Sequence, residues 1–344
     1  MRVVPFTGGA AEWDAFVTRA SGRGLGATFC HLYGWRDLMT DVLGHECLYA
    51  AAVDDQGELR GALPLVRVKS PLLGHYLVSL PFLNYGGPLG EPDACRALAA
   101  WATAEARASR ADLLELRTRA ALDVPLRASL RKIMVLLDVP EDPETLFQSF
   151  SSKLRNQIRR PQRESDIEVR FGLGELDPFY DVFARNMRDL GTPVLPRALF
   201  EAIARTFPDL VLFGTVSWGG RPIAGGCGFL WGGEFEMTWA SSLRAHNHLG
   251  ANMLLYWSFM REVIARRART FNFGRCTPGG GTHRFKRQWG GRDVPLPWAQ
   301  WSPGAVDATP SPERRVFQLA SAVWRRLPLA VANLVGPLLA RQLP

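Results

Sequence analysis

The chain has 344 residues, of which 47% are hydrophobic and 22% charged, a composition that excludes a disordered, collagen-like or coiled-coil protein. This length suits two domains of about 150 residues each. The 41 basic and 33 acidic residues give a net charge of +8. That charge favours a partner with phosphates, a nucleic acid or an anionic membrane surface, without selecting among them.

Hydropathy and cysteine usage indicate the compartment. No uninterrupted apolar run reaches the roughly 18 residues that a spanning helix needs, and the N-terminal residues lack the basic and then apolar pattern of a signal peptide. The five cysteines are odd in number and show no CxxC spacing, so they predict neither a disulfide framework nor a zinc site. We therefore expect a cytoplasmic protein with reduced thiols.

The first 140 residues alternate helical and strand-like segments. Two apolar runs, at 47–53 and 58–68, flank an Asp-Asp-Gln-Gly turn and predict a hairpin. The segments with helical periodicity are 12–20, 32–43 and 94–109. Pro140 and Pro143 then interrupt both periodicities, so we place a domain boundary at residue 140.

Residues 141–301 repeat this alternation. The helical segments are 144–150, 178–190, 196–206 and 252–267, and the strand-like segments are 210–218, 221–231 and 234–242. The sequence thus predicts two α/β domains, 1–140 and 141–301. A proline-rich segment and a basic amphipathic helix follow in residues 302–344.

A short basic helix is predicted between a capping Ser151 and Pro161. Arg155 and Arg159 are four residues apart on one helical face, where they could hold a phosphate or an acidic substrate group by bidentate hydrogen bonds. The competing interpretation is an ordinary solvated basic helix.

A polar loop at 242–250 precedes the apolar helix at 252–267. Free N–H groups at a helix N-terminus suit a phosphate, so His248, Gly250 and Asn252 are candidate contacts to a phosphate-bearing donor. His246 and His248 predict no metal site, because no nearby carboxylate or cysteine completes a ligand set. The competing interpretation is an ordinary loop and helix.

Three consecutive glycines, 279–281, follow an apolar strand and lead to Lys286, which stands between Phe285 and Trp289. Glycines let a backbone approach a ligand closely. Only four of the 41 basic residues are lysines, so a lysine retained here is a candidate for a role that needs a compact charge with a tunable pKa. The competing interpretation is a flexible surface loop with an exposed charge.

Six ordered blocks resemble the FemAB family of aminoacyltransferases, in particular its members associated with exosortase/PEP-CTERM systems. The blocks are SLPFLNYGGPLG (79–90), SSKLRNQIRRPQRE (151–164), FARNMRDLGTPVLPRALFEAI (183–203), PIAGG (222–226), LGANMLLYW (249–257) and FNFGRCTPGGGTHRFKRQWG (271–290).

The resemblance implies a fold of the α/β (α+β) class with two tandem GNAT-like (N-acyltransferase) domains. Each would hold a mixed, twisted sheet flanked by helices, with the substrate in the cleft between them. Peptidoglycan-type relatives that use aminoacyl-tRNA as the donor often carry a helical coiled-coil arm. No heptad insert that would form such an arm occurs in this sequence. Acyl-CoA and aminoacyl-tRNA therefore both stay open as the donor, and no metal or permanently bound cofactor is expected.

The resemblance also implies site residues. Phe285 and Lys286 match the Phe-Lys pair near the family's catalytic centre, where Lys286 would stabilise negative charge on the reacting carbonyl or leaving group. Glu236 and Asp189 are candidate general bases, beside assistance by the substrate itself. The candidate donor contacts are Arg155, Arg159, His248, Gly250, Asn252, Arg275 and Gly280. The candidate acceptor contacts are Asn84, Tyr85 and Tyr256, although both tyrosines could equally be core aromatics.

The C-terminal segment 313–344 carries five arginines and one acidic residue. Its apolar residues at helical spacing are Val316, Leu319, Val323 and Leu327, a pattern typical of a helix lying in a membrane interface. It predicts peripheral contact with the inner membrane. The competing interpretation is a helix docked on the protein's own core.

Three functional hypotheses follow. The first is an N-acyltransferase or aminoacyltransferase acting on an amino group of a cell-envelope or exopolysaccharide precursor, such as a lipid-linked peptide or amino sugar. The second is a non-catalytic, membrane-associated assembly factor of an exopolysaccharide or exosortase system. The third, nucleic-acid binding by the basic helix, ranks last because no aromatic residues are interleaved for base stacking. It survives only as recognition of tRNA by a transferase.

Overall fold

The computed structural model describes residues 1–71, 73–304 and 315–343, with the backbone alone for 315–317. In chain order its strands are β1 (Arg2–Pro5), β2 (Glu46–Val53), β3 (Leu59–Ser70), β4 (Gly74–Ser79), β5 (Leu89–Gly90), β6 (Leu113–Leu116), β7 (Arg127–Ser129), β8 (Ile133–Asp138), β9 (Ile167–Phe171), β10 (Val211–Trp218), β11 (Arg221–Trp231), β12 (Glu234–Ser242), β13 (Thr270–Cys276), β14 (Arg292–Pro295) and β15 (Trp298–Trp301).

The α-helices in chain order are α1 (Ala10–Gly22), α2 (Gly34–Asp37), α3 (Pro92–Ala108), α4 (Pro143–Ser149), α5 (Ser152–Arg159), α6 (Leu176–Leu190), α7 (Arg197–Thr206), α8 (Ala251–Ala265), α9 (Gly281–Arg287), α10 (Arg315–Trp324) and α11 (Leu329–Ala340). Within the described residues, none of the helices has both the length and the apolar character needed to cross a membrane.

Two compact units make up the chain. Of the described residues, the first contains those within 1–132, 295–304 and 341–343, and the second those within 133–294 and 315–340. The division differs from the predicted boundary at residue 140, because β8 pairs with β13 and thereby joins the second unit. The prolines that break the sequence periodicity lie after this strand, so they mark a turn within the second unit.

The first unit is built on a sheet with the strand order β1-β2-β3-β4-β6-β15-β7, and β5 pairs with β3 at its side. The predicted hairpin is confirmed as β2 and β3, whose connection is held by Asp54 accepting hydrogen bonds from the N–H groups of Gln56 and Glu58. Helix α3 packs an alanine-rich face against β2, β3 and β6. Strand β15, which lies between β6 and β7 in this sheet, is the last strand of the chain among the described residues.

The second unit is built on a sheet with the order β14-β8-β13-β12-β11-β10-β9. The turn between β10 and β11 places Gly219 and Gly220 at φ values of +54° and +73°, which explains why two glycines connect these strands. Strands β12 and β13 run parallel, and α8 makes the crossover between them. Both units thus hold a mixed sheet flanked by helices, which confirms the predicted fold class.

Candidate functional site

The parallel pair at the middle of the second sheet is joined over a short distance only. Its register runs from Glu234 opposite Thr270 to Glu236 opposite Asn272, although both strands continue beyond. Strand β12 also carries a bulge at this point, since Cys227 and Gly228 of β11 are paired with Trp239 and Met237. The residue between those two, Thr238, is left out of the β11–β12 ladder.

Strand β13 bulges at the same level. Its register to β8 shifts between Asn272 and Arg275, and Gly274 takes a φ of +75°, a conformation that glycine adopts without strain. The Asn272 side chain fixes this bulge, because its Oδ1 accepts the Gly274 N–H at 2.9 Å. Both central strands are therefore irregular where their pairing ends.

Helix α9 brings Lys286 to the bulge of β13. The side chain is only 4% exposed, and its Nζ donates to the carbonyl oxygens of Gly274 at 2.7 Å and Arg275 at 2.9 Å. An ammonium group has three N–H donors. One N–H of Lys286 thus has no acceptor among the described residues.

The surroundings of Lys286 lower its pKa from 10.5 to about 8, and burial is the main cause. The neighbouring Cys276 and Glu236 oppose this shift, while Arg275 adds to it. A buried cation that deprotonates this close to neutral pH is typical of functional sites. The alternative of an exposed charge on a surface loop is wrong for this lysine.

Glu236 lies on β12 at the last paired position and is buried. Its Oε2 is 3.5 Å from Asn272 Nδ2, and its Oε1 is 3.4 Å from Thr238 Oγ1. Asn272 Nδ2 also donates to Glu234 Oε1 at 2.7 Å. The structure thus brings Glu236 and Lys286 into one buried cluster, with Asn272 linking the carboxylate to the bulge.

An aromatic core lies beside this cluster along the chain, because Phe285 precedes Lys286 and Phe273 precedes Gly274. The Phe285 ring meets the Tyr256 ring edge to face at 4.9 Å, and Tyr256 stacks on Phe273 at 5.8 Å. Burial raises the pKa of Tyr256 well above its ordinary value. Trp289 is fully buried, and its Nε1 has no hydrogen-bond partner within the described part of the chain. The chain on both sides of Lys286 is therefore packed into an apolar core.

The predicted phosphate-binding loop leads into α8 directly after β12. Gly250 caps this helix at a φ of +70°, and no side chain supplies a capping hydrogen bond. A Cβ at Gly250 would lie 3.5 Å from Pro161, so the proline at the end of the basic segment packs beside the helix start. His248 is exposed and Asn252 half-buried, so both are accessible to a ligand.

The two arginines of the basic helix are turned toward α4. Arg155 Nη1 donates to Gln148 Oε1 at 2.7 Å, and the Arg159 guanidinium lies 5.0 Å from the Phe147 ring centroid. Within the described residues neither arginine has an acidic partner. That these two arginines contact the donor substrate stays a prediction.

The glycine-rich loop is anchored by the helix that follows it. The Gly279 N–H donates to His283 Nδ1 at 3.0 Å, and Arg284 Nη1 donates to the Gly279 carbonyl at 2.7 Å. The other ring nitrogen of His283 lies 3.0 Å from an oxygen of Asp293. Gly280 is the N-cap of α9, which places it directly before the helix that carries Lys286.

Asp189 lies at the end of α6, where it accepts a hydrogen bond from Arg188 Nε at 2.6 Å. Arg188 Nη1 donates to the Leu327 carbonyl at 3.0 Å. These contacts tie Asp189 to the C-terminal helices, and none of its hydrogen bonds reaches the Lys286 cluster. Its role as a base stays a prediction with no contact in its favour.

The first unit contains Asn84 and Tyr85, both buried. Tyr85 lines a cavity of about 450 Å³, and the Arg119 guanidinium lies 5.4 Å from its ring centroid. The wall also includes Arg117, whose Nε donates to Glu115 Oε1 at 2.9 Å in a buried ion pair. Of the three candidate acceptor contacts, Tyr85 thus lines a cavity, Asn84 is the buried residue before it in the chain, and Tyr256 lies in an aromatic core.

Sequence reasoning missed Thr238, Asn272 and Gly274. A signal exists for two of them, since an asparagine and a glycine interrupt the apolar run of β13. A polar residue and a glycine inside a buried strand indicate a bulge or a close approach. No group of three or more His, Cys, Asp or Glu side chains in the described ranges is placed to hold a metal ion.

Comparison with known proteins identifies the fold. Residues 148–287, which include Glu236, Gly250 and Lys286, match the acetyltransferase (GNAT) domain family. The chain is also similar to the crystal structure of FemX, with 14% sequence identity, a TM-score of 0.66 and coverage of 93% of this chain and 100% of that one. No curated protein sequence matches this chain significantly.

Two further structures extend the likeness. The C-terminal domain of a putative lysylphosphatidylglycerol synthetase from Agrobacterium fabrum has 12% identity and a TM-score of 0.55, covering 90% of this chain and 97% of that one. A tandem GNAT protein from the clavulanic acid biosynthesis pathway has 14% identity and a TM-score of 0.54. The match covers 89% of this chain and 99% of that one. The chain therefore has a tandem GNAT-like fold.

Proposed function

We propose that this protein is an N-acyltransferase or aminoacyltransferase that moves an acyl or aminoacyl group from acyl-CoA or aminoacyl-tRNA to an amino group of a cell-envelope or exopolysaccharide precursor. One observation carries the proposal: the buried Lys286 ammonium keeps one N–H donor where β12 and β13 stop pairing. Because both donors are made in the cytoplasm, we place the protein there.

The donor's phosphates would lie at the start of α8. The first N–H groups of a helix have no partner within the helix and carry a partial positive charge. Here Gly250 supplies no capping side chain, so a phosphate could take the place of a cap. His248, Asn252 and the nearby basic segment add polar and positive groups. CoA and tRNA both present phosphates to such a site.

The proposed reaction has three steps that the protein would assist. The amine attacks the acyl carbonyl and forms a C–N bond, the carbonyl oxygen becomes an oxyanion, and the C–S or C–O bond to the leaving group then breaks. The free N–H of Lys286 would donate to that oxyanion, with Gly274 and Arg275 holding the ammonium in place. Phe285 would orient the lysine's helix against Tyr256.

A base must also take a proton from the attacking amine. Glu236 is the candidate with support, since it is buried in the same cluster as Lys286. Asp189 already pairs with Arg188. Overall, one proton leaves the amine and one reaches the thiolate or alkoxide of the leaving group.

The names of the similar structures bear on the donor. The GNAT match favours acyl-CoA, whereas FemX and the lysylphosphatidylglycerol synthetase favour an aminoacyl donor. For the acceptor we propose a small or lipid-linked amine, with Asn84 and Tyr85 as contacts in the first unit.

Calorimetric titration of the full chain with acetyl-CoA, and separately with charged and uncharged tRNA at two salt concentrations, tests this proposal. Saturable 1:1 binding of acetyl-CoA would identify an acyl-CoA-dependent enzyme. Binding of charged in preference to uncharged tRNA, without affinity for CoA, would identify an aminoacyltransferase. No binding of either donor would contradict the proposal and favour the non-catalytic assembly factor.

A further inference from the structure

The C-terminal helices expose an unusual amount of apolar surface. Five of the ten large hydrophobic side chains that are exposed in the described part of the chain belong to α10 and α11: Leu319, Val323, Val331, Leu334 and Leu338. Leu319 is 68% exposed and Leu334 75%. So dense a group is more than the scattered apolar residues that an ordinary protein surface carries.

The exposure is a consequence of how α11 is held. Its small residues Ala332, Gly336 and Ala340 follow one another at intervals of four and are buried, and a Cβ at Gly336 would lie 3.0 Å from Val194. Its large residues lie on the other side of the helix. The helix is therefore docked by its small face with its large apolar face turned outward.

Helix α10 is held in a similar way. Ser321 Oγ donates to the Gly191 carbonyl at 2.8 Å, and Trp324 is buried. Leu319 and Val323 are four residues apart on the exposed face. Of the other positions predicted for a membrane-facing stripe, Leu327 is half-buried and the side chain of Val316 lies outside the described residues.

All charged residues of α10, α11 and the connection between them are arginines. Arg325 and Arg326, in the connection between the two helices, are exposed. Residues 315–340 contain no Asp or Glu. Two copies of this face would bring like charges together, whereas an anionic lipid surface would neutralise the arginines while the apolar side chains enter its interface. A helix of 12 residues is too short to span a bilayer.

We propose that α10 and α11 form a docking surface, made of Leu319, Val323, Val331, Leu334, Leu338, Arg325 and Arg326, that holds the protein on an anionic lipid bilayer. The proposal is independent of acyl transfer. A transferase that fails to bind lipid would remain a transferase, and a protein that binds lipid could lack transfer activity.

Co-sedimentation of the full chain with vesicles tests the surface, using pure phosphatidylcholine and a mixture with about one third phosphatidylglycerol. We expect binding to the anionic vesicles that weakens as salt is raised. Leu334→Glu and, separately, Leu319→Glu should each weaken it about tenfold or more. Arg325→Gln combined with Arg326→Gln should weaken it on anionic vesicles only.

The matched control is Leu130→Glu, because Leu130 is 62% exposed in the other unit. It should bind vesicles like the unchanged chain. The proposal is overturned if the unchanged chain does not bind anionic vesicles, or if the control weakens binding as much as the helix variants do. It is also overturned if light scattering shows a dimer that Leu334→Glu dissociates while vesicle binding is unaffected.

Discussion

At the scale of single residues, the proposed acyl transfer depends on Lys286, whose burial disfavours its charged form. Scarcity of lysine in the sequence singled out Lys286, and its burial beside Glu236 agrees with that hypothesis. The partners of the ammonium could not be predicted, because they are backbone carbonyls of Gly274 and Arg275. Every residue has a carbonyl, so residue types do not reveal which carbonyls converge.

The lowered pKa of Lys286 predicts a pH dependence. Lys286 is to act as a cation, so it must be protonated, and kcat/KM should fall as pH rises through about 8. A pH–rate profile measures this fall. Acceptor amines of different basicity provide the control, since the rising limb should move with the acceptor and the fall near pH 8 should not. Activity that rises through pH 8 with every acceptor would mean that the neutral amine acts as a base.

At the scale of elements, strong periodicity was enough to predict α8 and the strands β10 to β12, and the structure contains each of them. The helix α9 and the bulge in β13 were not predicted. The three glycines at 279–281, the last of which begins α9, indicate a loop in sequence. The helix forms because residues distant in sequence, among them Asp293 and the bulge itself, hold His283 and Lys286.

Gly274→Ala tests the bulge. A side chain in this left-handed conformation costs about 1 kcal/mol of folding free energy and should displace the carbonyls that hold Lys286. Gly44→Ala is the matched control, because Gly44 has a φ of +70° with open space around it. Chemical denaturation should show a similar loss of stability in both variants, while transfer activity should fall only in Gly274→Ala. Equal activity in the two variants would show that the bulge does not position the lysine.

At the scale of the whole molecule, two α/β domains could be predicted from the alternation of helices and strands. Their bounds could not, because strand pairing between distant segments sets them. Strand β15 lies between β6 and β7, and its Gln300 donates to Glu115 at 2.8 Å. Residues near position 300 thereby belong to the unit that begins at residue 1.

A substitution in β15 should therefore destabilise the N-terminal unit. Trp298 is buried, with the Arg117 guanidinium 4.8 Å from its ring centroid, so Trp298→Leu should cost about 3 kcal/mol. Hydrogen exchange should show lost protection in Leu113–Leu116, some 180 residues earlier in the chain. Trp218→Leu, at an exposed tryptophan of the second unit, should change stability by less than about 0.5 kcal/mol. Unchanged exchange in β6 would contradict the assignment of β15 to this unit.

The central claim, that Lys286 stabilises the charge formed in acyl transfer, is tested most directly by the transfer rate of Lys286→Met. This variant keeps the apolar stem and removes the donor. With the donor identified by calorimetry, kcat/KM should fall about 100-fold to 1000-fold while the melting temperature stays near that of the unchanged chain. Lys69→Met, at an exposed lysine, should transfer at the original rate. A folded Lys286→Met protein with full activity would contradict the mechanism.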